Sequence, residues 1–125
     1  MDLEKIKLRL KSLGYEVVEG DEAALEFVIG KVKNHIKHFC NIDEVPDELE
    51  YVMIDMCCGE FLKSKKSFGQ LTTIQVDQMV KSIKDGDTEV VYQSSTDSMT
   101  LLDTYLDKLI NGYLDDLLRY RQLVW

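Results

Sequence analysis

Apolar residues recur at helical spacing through most of the chain. The first set lies three or four residues apart, the period of one α-helix face: Leu3, Ile6, Leu10 and Leu13. Lysine and arginine occupy most of the positions between them, and Gly14 favours a stop. The N-terminal segment therefore predicts a short amphipathic helix within residues 1–14.

A pair of helices over residues 21–63 is the strongest pattern. An apolar stripe begins after Asp21, a residue type favoured at helix N-termini. The stripe comprises Leu25, Val28, Ile29, Val32, Ile36 and Phe39. Residues 41–46 interrupt it, and Pro46 suits the first turn of a following helix that ends near Lys63. Because the linker is short, the two helices are expected to pack as an antiparallel pair.

The pattern changes after this helical pair. Residues 64–73 are polar and predict a loop. Two short β-prone runs, residues 79–84 and 88–93, flank Asp85, Gly86 and Asp87. An Asp-Gly pair between such runs is typical of a hairpin turn, because glycine readily adopts positive φ. We therefore expect a β-hairpin over residues 78–93.

A last helix and a short tail are predicted over residues 100–125. Its apolar positions share one broad face: Leu102, Tyr105, Leu106, Leu109, Tyr113, Leu117 and Tyr120. The expected fold is mainly α, a small bundle of about four helices with one β-hairpin inserted before the long C-terminal helix. A chain of 125 residues fits a single domain over residues 1–125.

Charge excludes several classes of function. The chain has 15 basic and 23 acidic residues, a net charge of −8 with both histidines neutral. So acidic a chain is poorly suited to grip nucleic acid or an anionic membrane. It has no apolar run of membrane-spanning length, and its charged N-terminus does not resemble a signal peptide. We therefore expect a cytosolic protein that binds neither nucleic acid specifically nor membrane.

Candidate catalytic and metal-binding residues are few. His35, His38 and Cys40 could offer zinc ligands from one helix, but no second ligand pair has zinc-like spacing. Cys57 lies on an apolar helix face beside Cys58, which predicts buried, reduced thiols. The chain has no glycine-rich phosphate loop or nucleophile elbow. The sequence predicts no catalytic residue, metal or cofactor, and an enzyme is only the third interpretation.

Two surfaces of opposite character are predicted. Residues 41–60 include acidic residues but neither lysine nor arginine, and the expected acidic surface comprises Asp43, Glu44, Asp47, Glu48 and Glu50. Such a surface would bind a basic partner or repel DNA. Near the C-terminus, guanidinium and aromatic groups combine as at interface hot spots. The predicted subunit or partner interface comprises Arg119, Tyr120, Arg121 and Trp125, with the hairpin tip Asp85, Gly86 and Asp87.

Three short motifs occur in order along the chain. They are NIDEVPDEL at residues 41–49, VKSIKDGDT at residues 80–88 and LRYRQLVW at residues 118–125. They resemble the "N…(I/V)P-x-x-L" junction, the "GD(T/S)" segment and the closing "L-x-x-YR-x-L-x-W" of the small head–tail connector (adaptor) proteins of tailed bacteriophages. That family includes related proteins of phage-like elements in Gram-positive bacteria. The resemblance covers nearly the whole chain, with the helix before residue 14 aligning least well.

This resemblance implies a structural, non-enzymatic protein. Family members form rings, twelvefold in relatives, between the portal and the tail-completion or stopper protein, and the ring continues the DNA channel. The chain would assemble in the bacterial cytoplasm and then belong to a virion or a phage-tail-like particle. An acidic lumen would let DNA pass without sticking. The alternative, from another class, is a small acidic helical regulator that masks a basic protein.

Overall fold

A computed structural model describes residues 2–86 and 98–121 of the chain. Its α-helices in chain order are α1 (Asp2–Ser12), α2 (Glu22–Cys40), α3 (Glu50–Ser67), α4 (Thr73–Gly86), α5 (Ser98–Asn111) and α6 (Leu114–Arg119). One-turn 3-10 helices, Glu19–Asp21 and Asp47–Leu49, precede α2 and α3. The expectation of a mainly α-helical protein is confirmed for these residues.

Helix α1 ends where the sequence predicts. Gly14 has a φ of +89°, a left-handed conformation that favours glycine at a helix end. Ile6 and Leu10 are fully buried, and α1 packs against α3. The basic residues of α1 reach neighbouring helices, since Lys5 pairs with Glu50. The first helix is therefore part of the core rather than a loose appendage.

Helices α2 and α3 run antiparallel. Asp21, just before α2, pairs with Lys65 near the end of α3 at 2.6 Å. Further along α2, Lys31 pairs with Glu60 at 3.3 Å. α3 begins at Glu50, after the 3-10 turn that follows Pro46, and extends to Ser67, beyond the expected end near Lys63. The start of the predicted loop is therefore helical.

Helix α3 lies at the centre of the bundle, packed against α1, α2 and α5. Its buried residues cover most of its circumference: Val52, Met53, Ile54, Met56, Cys57, Cys58, Gly59, Phe61 and Leu62. Gly59 permits a close approach, because a Cβ there would lie 2.9 Å from the side chains of Leu109 and Ile110 on α5. The prediction of buried thiols is confirmed, and burial raises the pKa of Cys40 and Cys58.

The predicted β-hairpin is wrong. No strand occurs in residues 2–86 or 98–121, and residues 79–84, expected as its first strand, lie in α4 together with Asp85 and Gly86. Asp87 and the expected second strand, residues 88–93, are outside the described residues. Val76, Met79 and Val80 are buried at helical spacing, and α4 packs against α5. Tertiary packing of this face outweighs the local β-propensity.

A capping box starts α4. The Thr72 hydroxyl accepts a hydrogen bond from the Gln75 backbone N–H at 3.1 Å. The Gln75 side chain in turn accepts one from the Thr72 backbone N–H at 2.9 Å. This reciprocal pair is the Ser/Thr-x-x-Glu/Gln signature of a helix N-terminus. The Thr72–Gln75 spacing is visible in the sequence and favours a helix here over a strand.

The expected last helix is divided in two. α5 ends at Asn111 and α6 begins at Leu114, so Gly112 and Tyr113 form a turn between them. The Gly112 N–H still donates to the Lys108 carbonyl at 2.9 Å, and helical bonding resumes from Leu117 N–H to the Tyr113 carbonyl at 3.0 Å. The apolar pattern conceals this bend, because the buried positions keep their helical phase across it.

Candidate interaction surface around the C-terminal arm

Residues 112–121, here called the C-terminal arm, contain most of the described interface residues predicted from sequence. Arg119 ends α6, and Tyr120 and Arg121 follow it directly. Arg119 and Arg121 are exposed, whereas Tyr120 is half-buried against the core. Asp85 and Gly86 end α4, and the predicted interface residues Asp87 and Trp125 are outside the described residues.

The arm folds back onto α2. Leu117 is buried, and its carbonyl accepts a hydrogen bond from the Cys40 thiol at 3.3 Å. The Arg121 guanidinium lies 5.2 Å from the centre of the Phe39 ring, within cation–π range. The Phe39 ring in turn stacks on His35, with ring centres 6.4 Å apart. These contacts hold the arm at the C-terminal end of α2, beside the loop that begins at Asn41.

A polar cluster fixes the base of the arm. Asp55 on α3 accepts one hydrogen bond from Arg9 Nε at 2.8 Å and another from the Tyr113 hydroxyl. Arg9 also lies 3.4 Å from the Tyr105 hydroxyl. The Asp55 side chain is only 14% exposed, so both donors satisfy a largely desolvated carboxylate. Tyr113 therefore ties the start of α6 to α3 and, through Arg9, to α1.

The pKa directions agree with this arrangement. Burial disfavours the charged tyrosinate, and the neighbouring Asp55 carboxylate repels it further, so the pKa of Tyr113 is raised. Burial opposes the charged guanidinium of Arg9, but its hydrogen bond and ion pair with Asp55 outweigh that effect and raise its pKa. Tyr113 is therefore a hydrogen-bond donor at neutral pH, which is the role the geometry requires.

The arm presents apolar side chains to solvent. Leu114 and Leu118 are 52% and 46% exposed and lie one helical turn apart on α6. Two more exposed apolar residues, Leu8 on α1 and Tyr51 on α3, line an open groove of about 460 Å³ together with Asp55. Exposed leucines beside the Arg119 guanidinium are the chemistry of a protein–protein contact rather than of a small-molecule site.

The predicted acidic surface divides into two groups. Asp43, Glu44, Asp47 and Glu48 are exposed on the loop and 3-10 turn between α2 and α3. Glu50 is only half-exposed and pairs with Lys5 of α1. Two of the exposed acids, Glu44 and Asp47, line a groove of about 300 Å³ that Lys33 and Lys37 of α2 also line. The surface is therefore acidic at the loop and neutralised where α3 begins.

The residues considered for zinc lie apart from any further ligand. His35 and His38 are exposed on α2, whereas the Cys40 thiol is buried and bonded to the arm. Across residues 2–86 and 98–121, no group of three histidine, cysteine or acidic side chains could hold a metal ion. In the same ranges, no helix has the length and apolar character needed to cross a membrane.

A buried carboxylate cluster near α2 was not anticipated from sequence. Asp21, predicted as an N-cap, is 3% exposed and makes no capping bond from its side chain. It accepts hydrogen bonds from the Tyr15 hydroxyl at 2.8 Å and the Val18 N–H at 3.2 Å, and it pairs with Lys65. Burial opposes its ionised form, but these bonds prevail and lower the pKa of Asp21.

The sequence gives Asp55 no role beyond that of one acidic residue within 41–60, and Arg9 none beyond solvating the first helix. One signal could have distinguished Asp55, since it lies between Ile54 and Met56 in an otherwise apolar stretch. A carboxylate at such a position needs a partner when its helix is buried. Nothing in the sequence identifies Arg9 or Tyr113 as that partner, because they are 46 and 58 residues away.

No protein-family model matches the chain, and searches of curated proteins and of solved structures find no match. Functional proposals therefore depend on the residues and geometry of this chain.

Proposed function

We propose that this chain is a structural, non-enzymatic connector or collar subunit that forms a ring in a tailed phage or phage-tail-like particle. In this role it joins a portal or neck to the tail, with copies of itself, portal-like proteins and tail-completion proteins as partners. The particle either has a DNA-filled head or is a headless relative. The site of assembly is the bacterial cytoplasm.

The C-terminal arm is the observation that carries this proposal. It combines exposed Leu114 and Leu118 with the exposed guanidinium of Arg119. Leu118, Arg119, Tyr120 and Arg121 also begin the closing motif that resembles the connector family. Guanidinium and apolar groups on one short element suit an anchor in a protein partner. A ring subunit needs such an anchor on one side and a receiving surface on the other.

The exposed acids of the α2–α3 loop support a channel role. Asp43, Glu44, Asp47 and Glu48 present one sign of charge to solvent. Facing a lumen, they would repel DNA phosphates and keep the passing duplex from adhering. The same four residues also favour the alternative function, an acidic regulator that masks one basic protein.

Sedimentation of an induced bacterial lysate separates these two functions, with this chain followed by mass spectrometry. The connector proposal predicts recovery in megadalton particles together with portal or tail proteins. Recovery only in a small one-to-one complex with a basic protein would refute it and favour the regulator. Electron microscopy of the particle fraction then determines the ring symmetry.

A charge-reversal pair tests the arm in the same assay. Arg119→Glu should leave a folded monomer that no longer enters particles, because Arg119 is exposed and its replacement leaves the buried core unchanged. Lys11→Glu makes the same charge change at an exposed position of α1 and should assemble normally. Deletion of residues 119–125 should act like Arg119→Glu. Particles assembled from that truncated chain would contradict the anchor role.

A further inference from the structure

The apolar pattern around the C-terminal arm is compatible with two backbone conformations. Leu106 and Leu109 of α5 and Leu117 of the arm are buried, Tyr113 is half-buried, and the four follow one another at spacings of three and four, the period of an uninterrupted helix. The structure nevertheless bends the chain at Gly112 and Tyr113. If α5 continued straight through this turn, residues 112–121 would extend about 15 Å beyond Asn111 at the usual helical rise.

The bent conformation depends on glycine. A Cβ built at residue 112 would lie 2.4 Å from the Lys108 carbonyl oxygen, and a backbone atom cannot move aside cheaply. A straight α-helix accepts any side chain except proline there, and alanine is preferred over glycine by about 1 kcal/mol, roughly a fivefold change in equilibrium. The turn therefore requires a residue 112 without a side chain, and a substitution there shifts the equilibrium toward the straight form.

The contacts of the bent arm can be made equally well between two copies. They consist of the Tyr113–Asp55 hydrogen bond, the Leu117 carbonyl with the Cys40 thiol, and Arg121 on the Phe39 ring. Every copy carries the same α2 and α3 surface. An arm that leaves its own subunit can therefore bind the same groups on a neighbouring copy, namely Phe39, Cys40 and Asp55, here called the α2–α3 seat. Exchange of identical elements changes few contacts and is a low-cost route to association.

We propose that the arm is exchanged between copies. In this inference, which rests on the ring-forming function proposed above, Gly112 and Tyr113 are the hinge. The bent arm binds the α2–α3 seat of its own subunit and gives a monomer. The straight arm binds the α2–α3 seat of the next copy. Each subunit then gives one arm and receives one, a head-to-tail arrangement that closes into a ring when the rotation between copies permits.

Gly112→Ala tests the hinge on the purified full-length chain. Light scattering coupled to size-exclusion chromatography, over a concentration series, should show the oligomer-to-monomer ratio raised at least about fivefold over wild type. Gly30→Ala is the matched control, because Gly30 is exposed on α2 and a Cβ there meets nothing within 4 Å. A folded Gly112→Ala variant that stays as monomeric as Gly30→Ala would overturn the proposal.

Cross-linking determines which copy supplies the arm. Leu117→Cys introduces a thiol at the residue whose backbone carbonyl oxygen lies 3.3 Å from the Cys40 sulfur. Mild oxidation should join the two within one chain in the monomer and between chains in the oligomer, giving a ladder on a non-reducing gel. If this core substitution prevents folding, Arg121→Cys at an exposed position takes its place. Oxidised wild-type protein controls for Cys57 and Cys58.

The outcomes separate this inference from the proposed function. Rings or particles whose cross-link stays within one chain overturn arm exchange and leave the connector function intact. Cross-linked ladders from purified protein, with no recovery in particles, support arm exchange and refute the connector function. Particles that contain ladder-forming subunits support both.

Discussion

Replacing Asp55 by asparagine should loosen the C-terminal arm. The substitution keeps the shape of the side chain but removes its charge and one of its two acceptor oxygens. Arg9 and Tyr113 both donate to Asp55, so one of these donors would face the new amide N–H₂ group instead of an acceptor. If that donor is Tyr113, the arm loses its hydrogen bond to α3. If it is Arg9, α1 loses its hydrogen bond to α3.

The structure sets the size of this effect. A hydrogen bond to a charged group contributes about 1.5–3 kcal/mol, and Asp55 is only 14% exposed. Arg9 is 35% exposed, so solvent screens part of the loss. We expect Asp55→Asn to lower the free energy of unfolding by about 2 kcal/mol, which for a chain of this size lowers Tm by roughly 8 °C.

Urea unfolding of Asp55→Asn, Tyr113→Phe and the double variant measures the coupling. The two single effects should not add, because Asp55→Asn removes or weakens the hydrogen bond that Tyr113→Phe also removes, and the interaction energy should reach about 1 kcal/mol. Glu60→Gln is the control, since it breaks an exposed pair with Lys31 and should change stability by less than about 0.5 kcal/mol. A loss for Asp55→Asn no larger than that of Glu60→Gln, or strict additivity, would refute the reasoning.

Three further predictions concern the core and the helix ends. The lowered pKa of Asp21 gives stability that is complete above the unfolded-state value of about 4 and is lost as pH falls through the folded-state value. Asp21→Asn should therefore be less stable at pH 7 and show a flatter decline in urea-unfolding free energy between pH 6 and 3; an unchanged decline would contradict this. Gly59→Ala should lower the free energy of unfolding by about 1–3 kcal/mol, because the added Cβ forces α3 away from α5. In the same denaturation series, Gly30→Ala should leave the free energy of unfolding unchanged or raise it. Thr72→Ala should lower the free energy of unfolding by about 1 kcal/mol and speed amide hydrogen exchange in the first turn of α4. Equal exchange rates in the variant and the wild type would argue against the capping box.

Local sequence determined the three N-terminal helices. The apolar stripes of α1, α2 and α3 repeat at the helical period, and their ends carry ordinary signals, such as Gly14 and the linker around Pro46. Because period and end signals act within a few residues, they can be read without knowing the fold. Cys57 was placed in the core by the same reasoning, from its position in the stripe.

Residues 79–84 show where local reasoning failed. Their β-branched and apolar side chains suit a strand as well as a helix, and the Asp-Gly pair that follows favoured a hairpin. The helix is decided by the Thr72–Gln75 capping box and by burial of Val76, Met79 and Val80 beside α5. A short apolar run is ambiguous in sequence, and only its packing partner decides its conformation.

Local sequence and tertiary packing each determine part of the candidate interaction surface. The sequence by itself determined which side chains the C-terminal arm offers, because Arg119, Tyr120 and Arg121 are adjacent in the chain. Tertiary structure alone decided that the arm bends at Gly112, that Tyr113 reaches Asp55, and that Arg121 lies on Phe39. These contacts join residues far apart in sequence, and a pattern with one helical period fits a straight arm and a bent one equally well. The long-range partners, not the local period, select between them.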